Sequence, residues 1–215
     1  MPNKVLIALF FSFLLAAPIC GKAQTCPISK APGWSEQLRQ LYADCSNSVP
    51  SPNGKFIFQI GPEERIRLLS SGQPLSISGN EKLTLPAVIS WSPISTRFFI
   101  NDGNGSGLSS QLRIFSIGAH MAIASNKVNS LLTQIYRDRN RCSRSSDNPN
   151  VYGIGWSIDG ETLYAIAQAT VNAPCGYPSD YLGFVVNAKT YQVVRTLSTT
   201  QAKVEFGRFL PAELQ

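Results

Sequence analysis

Acid–base and nucleophilic chemistry are restricted first, because the chain has one histidine, His120, among 215 residues. A serine or cysteine nucleophile needs a neighbouring base that a third group orients, and His120 lies in a tight turn away from the long loops. Gly155-Trp156-Ser157-Ile158-Asp159 half matches a nucleophile elbow but lacks the closing glycine. No phosphate-binding loop or dinucleotide fingerprint is present. Asp102, Asp147 and Asp180 lie in loops that a β topology can bring together, so a carboxylate-dependent hydrolase stays open as an alternative function. Asp102-Gly-Asn104-Gly-Ser106-Gly107 matches the first half of a calcium loop, yet its closing position holds Arg113 where a bidentate acid is required. It is expected to be a hairpin loop without metal. No cofactor is expected.

Arg137, Arg139, Arg141 and Arg144 cluster around Cys142. Such a cluster can grip an acidic protein, an anionic polymer or lipid head groups, and it also suits the last turn of a solvated helix. Nucleic acid is not expected, since no aromatic platform interleaves with the cluster. Trp91 and Trp156 precede similar turn sequences and read as core residues.

The elements that position these groups begin after an export signal. Lys4 precedes an apolar run from Val5 to Ala17, Pro18 breaks it, and Gly21-Lys22-Ala23 offers a small-x-small cleavage site. Residues 1–23 are therefore expected to be a signal peptide, and the mature chain to be periplasmic or secreted with no transmembrane segment. Loss of Lys4 and Lys22 leaves 17 cations against 13 acids, a net charge of +4. Four cysteines remain, Cys26, Cys45, Cys142 and Cys175. In an oxidising compartment an even count points to two disulfides, with three pairings open. A zinc site is not expected, because no C-x-x-C spacing occurs and one histidine is too few. At 43% hydrophobic and 15% charged, the chain is neither disordered nor coiled coil.

Three windows then look alike: Ser51-Pro-Asn-Gly-Lys-Phe-Ile-Phe, Ser92-Pro-Ile-Ser-Thr-Arg-Phe-Phe and Ser157-Ile-Asp-Gly-Glu-Thr-Leu-Tyr. Each passes from Ser through a turn into an aromatic, β-branched strand. A second hairpin follows each, at Ser71-Gly72, Gly118 and Asn187–Thr190. The expected unit is a four-stranded antiparallel meander, present about three times. The Trp-Ser-Pro-Asp-Gly-Lys pattern, best copied at Ser51 to Lys55 and fairly at Trp156 to Gly160, resembles the blades of WD-like β-propellers, of the type in periplasmic Tol-system propellers and prolyl-oligopeptidase-type propeller domains. The resemblance spans roughly residues 45 to 200 and implies an all-β fold of about three propeller-like blades, open or incomplete, with two short helical insertions. A β-sandwich is the alternative. Blade architecture implies no particular activity.

The domain reading that follows is a signal peptide over 1–23, an N-terminal helical cap over 24–46, a propeller-like repeat domain over 47–200 and a C-terminal strand or tail over 201–215. The cap rests on the helical spacing of Trp34, Leu38, Leu41 and Tyr42, bracketed by Cys26 and Cys45. A second stripe, Val128, Leu131, Leu132, Ile135 and Tyr136, predicts another helix, and Lys203-Val-Glu-Phe206 reads as a strand. Successive connections of a meander alternate between its two ends. In blade topology this places the insertions 124–150 and 170–180 on one rim, which pairs Cys142 with Cys175 and leaves Cys26 with Cys45. That rim of long loops is the candidate binding face, with Tyr136, Arg137, Arg139, Arg141, Arg144 and Tyr177 as partner-binding residues. The expected function is an exported, non-enzymatic protein-interaction module of the cell envelope whose unknown partner is acidic. The alternatives are the hydrolase above and a glycan-binding envelope protein.

Overall fold

The computed structural model describes residues 24–79, 82–103, 110–142, 148–170, 175–176 and 180–215. Residues 1–23, where the signal peptide is expected, residues 104–109, Arg144, Asp147 and Tyr177 lie outside the described residues.

Alternating apolar residues build the first strands: β1 (Arg39–Leu41), β2 (Asn47–Pro50), β3 (Phe56–Ile60), β4 (Ile66–Ser70) and β5 (Gln73–Ser78). Phe58, Ile60, Ile66 and Leu68 turn inward while Arg67 faces solvent. Next come β6 (Ala87–Trp91), β7 (Arg97–Asp102), β8 (Gln111–Ile117) and β9 (Met121–Ser125). Here the centres of β7 and β8, residues 98–101 and 112–115, are buried on both faces, with polar Asn101 and Arg113 among the apolar side chains.

These nine strands form one sheet, in the order β1-β6-β7-β8-β9-β5-β4-β3-β2. The separate propeller blades expected from the repeat are not formed. Strands β2–β5 and β6–β9 are each antiparallel meanders, but their last strands join in parallel, Ser76 opposite Met121 and Ser78 opposite Ile123. An unpaired strand edge is thereby satisfied by hydrogen bonding, whereas propeller blades each keep their own sheet. The sheet curls into a nearly closed barrel around a single core that includes Phe58, Phe98, Phe115, Ile89 and Leu68. Its two ends approach where the Trp91 indole donates to the Val49 carbonyl at 3.2 Å. One sheet wrapped on its own core also fits a β-sandwich poorly.

A second sheet, β10 (Asn150–Trp156), β11 (Thr162–Gln168), β12 (Tyr181–Asn187) and β13 (Gln192–Leu197), lies against the outer face of β7 and β8. Trp156, Phe99, Leu112 and Phe184 fill this junction together with α1 (Lys127–Arg139). Strand β10 is an edge strand, and side chains cap its outer backbone groups. Asn101 exchanges two 2.8 Å hydrogen bonds with Gly153, and Gln37 bonds both the N–H and the C=O of Trp156. Gly153 is required there, since a Cβ would stand 2.8 Å from the Phe99 ring.

The three Ser turns share one hydrogen-bond pattern. Ser51, Ser92 and Ser157 each accept at their carbonyl from the residue three positions on, and at their hydroxyl from the residue five positions on. The Asp159 carboxyl is held below its ordinary range, first by the Ser157 hydroxyl and then by the Glu161 N–H.

Helix α1 follows its stripe, burying Val128, Leu132 and Tyr136. The helical cap over Trp34 to Tyr42 is not formed: the segment is turns followed by β1. Leu38 enters the junction core and Leu41 the barrel core, which one helical face could not do. The strand expected at Lys203 to Phe206 is instead the end of α2 (Thr199–Phe206). Ser198 and Gln201 form a capping box there, and that start signal overrides a short alternating pattern. Helix α2 covers the outer face of the second sheet through Ala202 and Phe206.

Candidate functional site

The longest connections meet at the end of α1. That helix stops in a Schellman motif: the Cys142 N–H bonds the Arg137 carbonyl at 2.9 Å and the Arg141 N–H bonds the Asp138 carbonyl at 3.4 Å. Arg141 holds the left-handed position at φ 52°, which glycine normally takes. Arg141→Gly is therefore expected to stabilise the fold by about 0.5–1 kcal/mol, net of glycine's greater freedom in the unfolded chain. Urea denaturation checks this, and a destabilised variant would contradict the geometry.

The disulfides are Cys26–Cys45 and Cys142–Cys175, with Cα separations of 5.3 and 5.5 Å. The second ties the end of α1 to the β11–β12 connection. Beside it opens a cleft of about 700 Å³ between α1, the start of β8 and the segment entering β10. The Ser110 N–H donates to Asn150 Oδ1 at 2.7 Å, and the Leu112 N–H donates to Asn129 Oδ1 at 2.9 Å. These bonds fix the floor. Ser130, Thr133, Gln134 and Arg137, at helical spacing on the polar face of α1, form one wall; Gln111 and Asn148 face the same space.

Arg137 is half-buried, and its Nε is fully buried with no hydrogen-bond partner among the described residues. Of the other predicted binding residues, Arg139 and Arg141 are exposed, on a different side of the helix end and outside the cleft lining. Tyr136 is 2% exposed, belongs to the junction core and lies outside the cleft, meeting a separate cavity instead. Burial, then the charge of Asp180, raises the pKa of its phenol. Arg144 and Tyr177 lie outside the described residues.

Asp102 and Asp180 do not converge. Asp102 pairs with Arg113 at 3.5 Å, and burial lowers the pKa of that guanidinium. Asp180 lines a separate 350 Å³ cavity with Asn140, Ser198 and Thr200. Asp147 lies outside the described residues, and Asp138 is the one acid among the described residues of the cleft. His120 is exposed in the β8–β9 turn. Among the described residues no group of three or more His, Cys, Asp or Glu is placed to hold a metal ion, and no helix is long and apolar enough to cross a membrane. Sequence reasoning missed Gln111, Asn129, Thr133, Gln134 and Asn148. For Asn129, Thr133 and Gln134 the available signal was the polar stripe opposite the apolar stripe of α1; Gln111 and Asn148, on β8 and before β10, carried none. The sequence matches no protein-family model and no curated protein.

Proposed function

We propose that the protein is an exported, non-enzymatic binding module that receives a carboxylate-bearing segment of a partner protein in the cleft beside α1. The observation that carries this reading is Arg137, half-buried with its Nε fully buried and unpartnered among the described residues, at a cleft lined mainly by hydroxyls and amides with Asp138 as the one described acid. A donor buried without a partner costs about 1–3 kcal/mol, so the wall around Nε gains from any shift that lets an incoming acceptor reach it. Guanidinium favours carboxylate through paired, planar hydrogen bonds. The surrounding amides suit the peptide backbone of such a segment. Two disulfides support an oxidising, extracytoplasmic compartment, in keeping with the export signal expected over residues 1–23 and a periplasmic or secreted location. Among the described residues Asp138 is the one acid at the cleft, so paired-carboxylate hydrolysis finds no second carboxylate among them.

A photo-crosslinking residue at Gln134 of the exported chain tests this in the living cell. Discrete protein adducts are expected. Arg137→Glu should reduce them at least tenfold, Arg137→Lys should retain part of them, and the same crosslinker at exposed Val204 should yield none. Adducts at Gln134 that ignore Arg137→Glu would overturn the reading.

A further inference from the structure

The end of the strands opposite the cleft carries an apolar surface that the proposed function does not use. Its origin is the set of Ser turns. Ile94 and Ile158, 41% and 84% exposed, occupy the β6–β7 and β10–β11 turns. Gly160 packs so closely on Ile94 that a Cβ would come 2.8 Å from its Cγ1. The Asn53 N–H donates to Ser95 Oγ at 3.1 Å, tying the β2–β3 turn to the same row. The three turns thus make one rigid ridge, crowned by the two isoleucines.

Along the ridge runs a groove of about 530 Å³ whose apolar walls include Ile28, Val49, Pro50 and Trp91. It lies at the seam where the two edges of the barrel sheet approach. Pro52 and Pro93, from the ridge itself, form its near wall. The charges differ between ridge and groove. Exposed Asp159 follows Ile158 and gives the ridge its acid, while Glu161 stands 3.9 Å from the Arg97 guanidinium. At the groove lip Glu36 is paired with Lys30 at 2.5 Å, and the Arg39 guanidinium bonds backbone carbonyls of Glu36 and Leu38; Lys30 first and then Arg39 lower the Glu36 pKa, so the lip holds two cations to one acid.

We infer that this face pairs with a second copy of the chain, the ridge of each copy lying in the groove of the other. A two-fold interface is isologous, so it requires a projection and a matching recess on one face of one molecule. Both are here, with an acid-bearing ridge and an arginine-lipped groove that complement each other across the axis. A contiguous apolar surface with a polar rim is the usual mark of an interaction site. Ridge and groove are smaller than the ~20–30 residues a side of a standard interface, so the dimer is concentration-dependent.

Sedimentation velocity on the disulfide-intact mature chain, from about 5 to about 500 µM, brackets the affinity of a small interface. The mean mass should rise from one chain to two across that range. Ile158→Asp should raise the midpoint at least tenfold with unchanged thermal unfolding, because the site is exposed. Val204→Asp, equally exposed on α2, should leave association intact. A photo-crosslinking residue at 158, in a mixture of light and heavy isotope-labelled chains, should join the two isotopes through the peptide containing Trp91. A single-chain mass at every concentration, equal effects of both aspartates, or crosslinks to another region would each overturn the inference. So would a monomer that crosslinks through residue 158 to a different protein, which would assign the face to that protein instead.

Discussion

Replacing all four cysteines by serine should leave the chain unfolded at 37 °C. The two bridges close segments of 19 and 33 residues in sequence separation. Loop-closure entropy assigns them about 3 and about 4 kcal/mol, together comparable to the ~5–15 kcal/mol of a whole domain. Each bridge also holds an element that packs weakly by itself. Cys26–Cys45 secures the stretch that pairs with β1, a strand of three residues at the edge of the barrel sheet. Cys142–Cys175 anchors the end of α1. Removed singly, the first pair should lower the melting temperature by roughly 6–12 °C and the second by roughly 8–16 °C, given ~2–4 °C per kcal/mol for a domain of this size. The effects should add, since the bridges fix different elements. Thermal unfolding followed by circular dichroism, with and without reductant, measures both. A shift under about 3 °C on full reduction would mean that the packing alone closes the barrel edge and seats α1.

The second bridge shows which sequence inferences were robust. Pairing Cys142 with Cys175 followed from the alternation of connections in a meander. That alternation holds in β10–β13, where Asn150 and Tyr181 both stand opposite Gln168. No propeller is required for it. The Ser turns were legible for a similar reason, because Asn, Asp and Gly at defined offsets specify a turn from within a few residues. Local chemistry does not say how one meander meets the next. The parallel pairing of Ser76–Ser78 with Met121–Ile123 spans 45 positions in sequence, and an alternating strand such as β5 looks the same whether its edge is free or paired. The arginine cluster shows the same limit at the site. Residues 137, 139 and 141 are neighbours in sequence, but at about 100° per residue the side chains of Arg137 and Arg139 leave the helix in different directions, and Arg141 lies beyond its last turn at φ 52°. Of these three, only Arg137 lines the cleft. The cleft's other walls come from β8 and from the approach to β10, so their convergence depends on the junction of barrel and sheet.

That junction hinges on Asn101, and Asn101→Leu should cost about 4 kcal/mol. Asn101 is 4% exposed and lies on β7, where Phe98 and Ile100 enter the barrel core and Phe99 enters the junction. Its amide donates to the Gly153 carbonyl and accepts from the Gly153 N–H, both at 2.8 Å. These are edge groups of β10, and water cannot replace Asn101 in a packed interior. Leucine conserves volume but leaves two backbone groups buried without partners, at ~1–3 kcal/mol each. Gln37 caps Trp156 in the same way but is half-exposed, so water can substitute and Gln37→Ala should cost only about 1 kcal/mol. The contrast between the two variants separates backbone capping from general packing. Urea denaturation gives the totals, and hydrogen exchange at the Gly153 amide should speed up in Asn101→Leu more than at β12, which lies inside the sheet. Equal costs at the two positions would show that the sheet is held by its apolar face alone. If Asn101→Leu acts as expected, it should also loosen the cleft, because α1 packs on both β8 and β11 and spans the junction that this side chain helps to close.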